Sequence, residues 1–137
     1  MPRIRRMLET ALYCERLGPT ADFYRTLLDG EVLLESKRLV ALDVGEGTVL
    51  LLFQRGESSE PVETPGGVIP AHDGSGPTHL AFAIAAEEFA DWEERLGALG
   101  IEVESRVSWA RGGRSLYFRD PEGRSVELAT PGTWATY

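Results

Sequence analysis

Cysteine is nearly absent from this sequence, which has one, Cys14, among 137 residues. A single cysteine excludes an internal disulfide, and such a chain fits a reducing compartment. Cys14 lies in an apolar, strand-like stretch, so we interpret it as a small core residue and not as a nucleophile. We therefore expect a cytoplasmic protein.

Long apolar segments are absent as well. The apolar runs, of which Val49–Phe53 is typical, are much shorter than the roughly 20 residues that span a bilayer. No apolar stretch follows the N-terminal arginines Arg3, Arg5 and Arg6. The sequence therefore predicts neither a secretory signal nor a membrane segment.

Basic residues are too few for a nucleic-acid-binding protein. The chain has 14 lysines and arginines against 22 acidic residues, a net charge of −8, whereas phosphate binding depends on clustered basic side chains. Hydrophobic residues make up 42% and charged residues 26%, which is typical of globular domains and argues against disorder. We expect one domain with a real core.

The first half of the chain alternates strand and helix signals. Apolar alternation predicts a strand over residues 8–14, and Pro19 is placed to open a helix that Gly30 ends. Three further strands are predicted at 31–34, 39–43 and 48–54.

The second half repeats this order after a segment rich in proline and glycine, residues 55–77, which we interpret as a loop or linker. A strand is predicted over 79–84, followed by a helix over 86–99 that Gly100 caps. Three more strands are predicted at 101–104, 114–118 and 125–129.

The two halves are similar to each other. The same spacing separates Glu9 from His79 and Gly30 from Gly100. Such a repeat determines the expected fold before any other feature. We predict an α+β fold made of two tandem βαβββ repeats within a single domain, 1–137: repeat one at about 7–54, the linker at 55–77 and repeat two at about 78–130.

Strand alternation predicts that His79 and Glu127 face one cavity. In their strands the large apolar residues, such as Phe82 and Leu128, fall on one face, while His79 and Glu127 fall on the other among small residues. An imidazole and a carboxylate are costly to bury together unless they hold a metal ion or a partner charge. We therefore regard His79 and Glu127 as candidate metal ligands.

Two segments carry a family resemblance. Residues 77–82, Pro-Thr-His-Leu-Ala-Phe, and residues 117–128, with a Phe-x-Asp-Pro-x-Gly turn followed by Glu-Leu, resemble the vicinal oxygen chelate superfamily. That superfamily includes glyoxalase I, methylmalonyl-CoA epimerase, fosfomycin-resistance thiol transferases, extradiol dioxygenases and bleomycin-binding proteins. The resemblance covers roughly residues 7 to 130, and it implies curved mixed sheets around a cavity.

The resemblance also implies a ligand set. The metal positions of the superfamily fall on Glu9, His79 and Glu127, while the fourth position is occupied by Leu51. Three protein ligands leave open positions for water or substrate. The expected cofactor is a divalent metal ion, Mn or Mg from the oxygen-rich set, with Zn, Ni, Co or Fe as alternatives. Glu9 and Glu127 are the expected catalytic carboxylates, with Glu9 or a metal-bound water as the base.

Four residues are predicted to bind substrate. Ser115 and Tyr117 share a strand face, and their Ser-x-Tyr-Phe segment resembles the one with which fosfomycin-resistance enzymes hold a phosphonate. Tyr13 is a candidate for the pocket lining, and Arg114 is a candidate clamp for an anionic group. For His72, in the linker, an exposed loop position is the favoured interpretation.

The function implied is that of a metal-dependent enzyme of the glyoxalase type, acting on a small substrate with neighbouring oxygens. Lyase, isomerase and thiol-transfer reactions all remain open. One alternative is a metal-free protein that sequesters a drug, as bleomycin-resistance proteins do, and another is an Fe(II) extradiol dioxygenase. The resemblance also implies a homodimer in which repeat one of one chain faces repeat two of the other.

Overall fold

The computed structural model describes all residues, Met1–Tyr137. The chain divides into two compact units, Met1–Ser75 (unit 1) and Gly76–Tyr137 (unit 2). None of its helices combines the length and the apolar character that crossing a membrane would require.

Unit 1 contains one helix, a four-stranded sheet and a small hairpin. Its elements are β1 Glu9–Cys14, α1 Leu17–Leu28, β2 Val32–Glu35, β3 Leu39–Gly45, β4 Thr48–Gln54, β5 Val62–Thr64 and β6 Gly67–Ile69. The strand order of the sheet is β1-β4-β3-β2, with β1 parallel to β4 and the other neighbours antiparallel. Strands β5 and β6 pair only with each other.

Unit 2 repeats the same plan. Its elements are β7 His79–Ala83, a 3-10 turn at Ala86–Glu88 that leads into α2 Phe89–Ala98, β8 Ser105–Ser108, β9 Arg114–Arg119 and β10 Ser125–Ala129. The strand order β7-β10-β9-β8 matches that of unit 1, and β7 is again parallel to its neighbour β10. The predicted α+β fold of two βαβββ repeats is therefore confirmed.

The cores follow from the predicted patterns. In α1, residues at helical spacing such as Tyr24 and Leu27 are completely buried, as are Leu42 and Leu52 of the sheet. In unit 2 the fully buried residues include Leu96 of α2 and, from the sheet, Leu116, Phe118, Val126 and Leu128. One face of each sheet therefore packs in the core of its unit.

The end of α1 differs from the prediction. The helix stops at Leu28, and Asp29, not Gly30, takes the left-handed conformation at φ 49°, its N–H bonding to the carbonyl of Arg25. Gly30 serves another purpose, since a Cβ there would lie 2.3 Å from the backbone oxygen of Asp43. The glycine is required by close packing of two chain segments.

The end of α2 agrees with the prediction. Gly100 has a φ of 71°, its N–H bonds to the carbonyl of Gly97, and the N–H of Ile101 bonds to the carbonyl of Leu96. These two bonds form a Schellman motif, the usual ending for a helix followed by a left-handed glycine.

Two predicted segments are corrected. The linker 55–77 is not entirely loop, because a tight turn after Thr64 allows β5 and β6 to pair, with the Thr64 hydroxyl donating to the Gly67 carbonyl at 2.6 Å. The strand predicted at 101–104 lies instead at Ser105–Ser108. Residues directly after the Schellman motif complete the helix ending, so the sheet hydrogen bonds begin only at Glu104.

A buried turn sets the register of β9 and β10. Asp120 Oδ1 accepts hydrogen bonds from the N–H groups of Glu122 at 2.9 Å and Arg124 at 3.0 Å, and its Oδ2 pairs with the Arg124 guanidinium at 2.8 Å. The side chains of Asp120 and Arg124 are 0% and 3% exposed. This turn closes the hairpin so that Glu127 lies opposite Tyr117.

Candidate metal site

His79 and Glu127 come from neighbouring parallel strands. The register of β7 and β10 pairs Ser125 with His79 and Glu127 with Ala81, so both functional side chains lie on the same face of the sheet. The Nε2 atom of His79 is 3.3 Å from Oε2 of Glu127. We call the residues that share this face, His79, Ser115, Tyr117 and Glu127, the His79 cluster.

The orientation of the His79 ring is determined by the backbone. Its Nδ1 lies 2.9 Å from the carbonyl oxygen of Ser125, and because a carbonyl only accepts, Nδ1 carries the proton. In the neutral ring Nε2 is then an acceptor, and it faces the carboxylate of Glu127, which is also an acceptor. Two acceptors this close are favourable only if the ring is protonated or if both share a cation.

Glu127 is buried at 6% exposure, although it is a carboxylate. The Ser115 hydroxyl donates to its Oε1 at 2.6 Å. Burial, followed by its interaction with the Glu127 carboxylate, raises the pKa of Tyr117, while its interaction with Ser115 lowers it. The Ser115 donor compensates part of the cost of desolvating the Glu127 carboxylate.

Further contacts hold the residues of the His79 cluster. Trp109 directs its indole Nε1–H at the Ser115 hydroxyl, 2.8 Å away, and Ser115 itself is completely buried. The ring of Tyr117 stacks near the His79 imidazole, with centroids 6.2 Å apart and an interplanar angle of 26°. Of the predicted site residues, His79, Ser115, Tyr117 and Glu127 are therefore brought together.

Arg114 does not join them. It precedes Ser115 in β9, so its side chain leaves the sheet on the opposite face. Its guanidinium lies 4.0 Å from the centre of the Phe89 ring, and it also reaches the carbonyl of Ala86 at 3.5 Å. A cation–π contact at the start of the second helix explains this arginine.

Unit 1 repeats the geometry with other residues. Glu9 begins β1 opposite Val49, as His79 begins β7 opposite Ser125, and Leu51 lies opposite Ala11, the place that Glu127 takes in unit 2. The structure therefore confirms that Leu51 occupies the repeat equivalent of Glu127. Glu9 is exposed.

No group of three or more His, Cys, Asp or Glu side chains able to hold a metal ion is found in the structure. The ligand role of Glu9 remains a prediction.

Comparison with known proteins decides the family. Residues 6–128 match the model of the Glyoxalase/Bleomycin resistance protein/Dioxygenase superfamily. The chain belongs to this superfamily. The resemblance inferred from its sequence motifs is thereby confirmed.

The relatives that are at least 30% identical to this superfamily member include a lyase and a transferase. The crystal structure of lactoylglutathione lyase from Agrobacterium tumefaciens is 36% identical, with a TM-score of 0.86, and the match covers 98% of this chain and 99% of that one. Metallothiol transferase FosB of Bacillus licheniformis is 30% identical over 115 residues, which are 83% of this chain and 68% of FosB.

A more distant structure shares the fold. It is a mutant of the fosfomycin resistance protein FosX from Listeria monocytogenes, complexed with Mn(II) and 1S,2S-dihydroxypropylphosphonic acid. Its identity to this chain is 23% and its TM-score 0.66, with 92% of this chain and 90% of that chain covered.

In this superfamily member, Tyr13 has a partner that sequence reasoning missed. Its hydroxyl lies 2.6 Å from Nδ1 of His72, and the His72 ring packs edge-on against Phe53 with centroids 4.7 Å apart. Burial and the charge of Asp73 raise the pKa of Tyr13. The expectation that His72 is an exposed loop residue is therefore wrong, because His72 is half-buried against two aromatic rings.

The residue in the sequence that could have indicated the contact between Tyr13 and the His72 segment is Gly74. A Cβ on Gly74 would lie 2.7 Å from Cδ2 of Tyr13, so the segment that follows His72 passes directly over the tyrosine ring. In the sequence Gly74 was one of several glycines in the linker, and nothing distinguished it from the others.

Proposed function

We propose that this chain is a metal-dependent enzyme of the glyoxalase type, acting on a small substrate with neighbouring oxygen atoms. Lyase, isomerase and thiol-transfer reactions fall within the proposal. The observation that carries it is the 3.3 Å separation between His79 Nε2 and Glu127 Oε2. These two acceptor atoms face each other on one sheet face, where a shared divalent cation relieves their repulsion.

The residues present fit such an ion. A histidine whose Nδ1–H is fixed by a carbonyl, here that of Ser125, presents Nε2 as a ligand in the manner typical of metal sites. Glu127 supplies an oxygen, and a mixed nitrogen and oxygen set suits Mn, Zn, Ni, Co, Fe or Mg ions. The carboxylate is held by Ser115 on its other oxygen.

The third ligand in the proposal is Glu9 of the partner subunit in a homodimer. Glu9 is exposed and takes the repeat position that corresponds to His79. A two-fold dimer would form the site twice, since each chain contributes both parts.

Each residue then has a chemical task. The bound ion would supply Lewis-acid polarisation of a substrate oxygen. The Ser115 proton is committed to Glu127, so Tyr117, which is half-buried on the same face, is the hydroxyl available to bind a substrate oxygen. Glu9 is the proposed base. The proposed site does not contain Arg114, which lies on the other face.

The relatives support this assignment. One is named a lactoylglutathione lyase and another a metallothiol transferase. Both names describe thiol-linked chemistry on small molecules, and lyase or thiol-transfer reactions are therefore the first to assay. The fold alone does not choose between them.

A metal titration tests the proposal. Purified, chelator-treated protein is titrated with Mn²⁺, and we expect one ion per chain, lost in His79→Ala and retained in the matched control His72→Ala. Equal binding by both variants, or none by the unmodified protein, would reject the metal site. Oxygen uptake with catechols after loading with Fe²⁺ would favour the dioxygenase alternative.

A metal-free binding protein is the second candidate. Unit 1 favours it, because its sheet carries an apolar cluster in which Leu39, Ala41 and Phe53 are buried, with Tyr13 stacked on Phe53 at a centroid distance of 5.8 Å. Such a surface suits an aromatic ligand. Tight binding of an aromatic drug without metal, unaffected by His79→Ala, would support this candidate over the enzyme.

A further inference from the structure

We infer that Trp109 is a positioning residue which, through the Ser115 hydroxyl, fixes Glu127 so that only its Oε2 is offered to the metal ion. The inference rests on the metal site proposed above. It concerns a residue outside the ligand set, and it accounts for a hydrogen-bonded chain that runs from the indole to the carboxylate.

The direction of this chain follows from chemistry. An indole Nε1–H can only donate, so at 2.8 Å the Ser115 oxygen must accept from Trp109. Serine has one proton, and its oxygen lies 2.6 Å from Oε1 of Glu127. An ionised carboxylate can only accept, so the Ser115 proton is directed there. Donation by Trp109 also strengthens the donation by Ser115, because linked hydrogen bonds polarise one another.

Trp109 is itself held firmly. It follows β8, its N–H donates to the carbonyl of Gly113 at 2.7 Å, and its carbonyl accepts from the N–H of Gly112 at 2.9 Å. Gly113 packs so closely on the C-terminal segment that a Cβ would lie 2.4 Å from the carbonyl carbon of Gly132. The hairpin therefore holds the backbone of Trp109 in place, although its glycine-rich sequence is typical of a flexible tip.

The consequence is a carboxylate with two different oxygens. Oε1 of Glu127 accepts the Ser115 proton in the buried interior, whereas Oε2 points at Nε2 of His79. Glu127 then binds the ion through one oxygen and in one orientation. Loss of such outer contacts to a ligand typically weakens metal binding about 10- to 100-fold.

Two substitutions at position 115 distinguish the effect of losing the hydroxyl from the effect of a larger side chain. Ser115→Thr and Ser115→Val add nearly the same bulk, but only the threonine keeps a donor for Glu127. We expect Mn²⁺ affinity, measured by the electron paramagnetic resonance of free Mn²⁺, to be at least about tenfold weaker in Ser115→Val than in Ser115→Thr. The spectrum of bound Mn²⁺ should change in Ser115→Val only.

Trp109→Phe tests whether the indole acts through Ser115. It retains an aromatic ring and removes the N–H, and Trp92→Phe on α2 is the matched control. We expect Trp109→Phe to weaken Mn²⁺ binding about tenfold. Trp92→Phe should leave the Mn²⁺ affinity unchanged. In the Ser115→Val background Trp109→Phe should add less than about twofold, since coupled residues are not additive.

The outcomes are distinguishable. Absence of Mn²⁺ binding by the unmodified protein would overturn the proposed function and this inference together. Normal Mn²⁺ binding that Trp109→Phe leaves unchanged, or weakens equally in both backgrounds, would overturn the inference alone. If Ser115→Val fails to fold by circular dichroism, the comparison of Trp109→Phe with Trp92→Phe still decides.

Discussion

Nε2 of His79 lies 3.3 Å from Oε2 of Glu127, and the two residues belong to the first and the last strand of unit 2. Because those strands are parallel neighbours, the contact depends on the crossover that contains α2 and the β8–β9 hairpin. This pair thus forms only when the whole repeat is folded.

Removal of the Glu127 charge should abolish metal binding. Glu127→Gln keeps the shape of the side chain but loses the ionised oxygen that a divalent cation requires, so we expect affinity to fall by about 100-fold or more. Isothermal titration with Mn²⁺ measures this. Glu102→Gln, a carboxylate on a different segment, serves as the control and should bind normally.

A site shared between two chains should be restored by mixing subunits. Glu9→Ala and His79→Ala homodimers should each lack metal, since each site lacks one ligand. After unfolding and refolding together, random pairing gives one intact site per mixed dimer, or about a quarter of all sites. Metal analysis of the mixture measures this. No recovery in a mixture shown to contain heterodimers would contradict the shared site.

A side chain at position 30 should destabilise the protein, whereas a side chain at position 18 should stabilise it. A Cβ on Gly30 would meet the Asp43 oxygen at 2.3 Å, whereas a Cβ on Gly18 in α1 meets nothing within 4 Å. We expect Gly30→Ala to lower the free energy of unfolding by about 1–3 kcal/mol. Gly18→Ala should raise it by roughly 0.5–1 kcal/mol. Urea denaturation tests both variants, and similar effects would contradict the packing argument.

The buried pair of Asp120 and Arg124 should be important for stability. Both side chains are almost completely enclosed, so Arg124→Met removes the guanidinium that pairs with the buried Asp120 carboxylate and should cost about 3–5 kcal/mol of unfolding free energy. Arg119→Met is the control, because Arg119 pairs with Glu104 at the surface and its loss should change the free energy of unfolding much less. The two values are compared by chemical denaturation.

Stability should fall at alkaline pH because of Tyr13. Burial and the charge of Asp73 raise its pKa above the ordinary value of 10.0. The folded chain therefore holds a proton that the unfolded chain releases, so this contribution is complete below pH 10 and is lost as the pH rises further. Unfolding titrations between about pH 9 and 11 should show a steeper decline for the unmodified protein than for Tyr13→Phe.

Much of the fold could be predicted from local patterns. The repeated spacing of Glu9 with His79 and of Gly30 with Gly100 gave the duplicated βαβββ plan, and the bounds of β4 and β10 agree with the strands predicted at 48–54 and 125–129. Strand alternation alone placed His79 and Glu127 on one face. It also separates Arg114 from Ser115, and the position of the arginine on the opposite face agrees with this alternation.

Other features depend on contacts between distant residues. Helix α1 ends with Asp29 as its C-cap, and Gly30 packs against the backbone of Asp43, where a Cβ would not fit. His72 is half-buried because its ring contacts Tyr13 and Phe53. Local sequence carries no record of such contacts, since they exist only after the strands have paired.

The sequence by itself determined the two repeats, the alternation of their strands and the residue types that can bind a cation, because these depend on periods of two and 3.6 residues along the chain. The tertiary structure alone decided which oxygen of Glu127 accepts from Ser115. That choice depends on the contact between Trp109, which is partly exposed, and the buried Ser115, because the direction of a hydrogen bond is determined only by the partners that surround it.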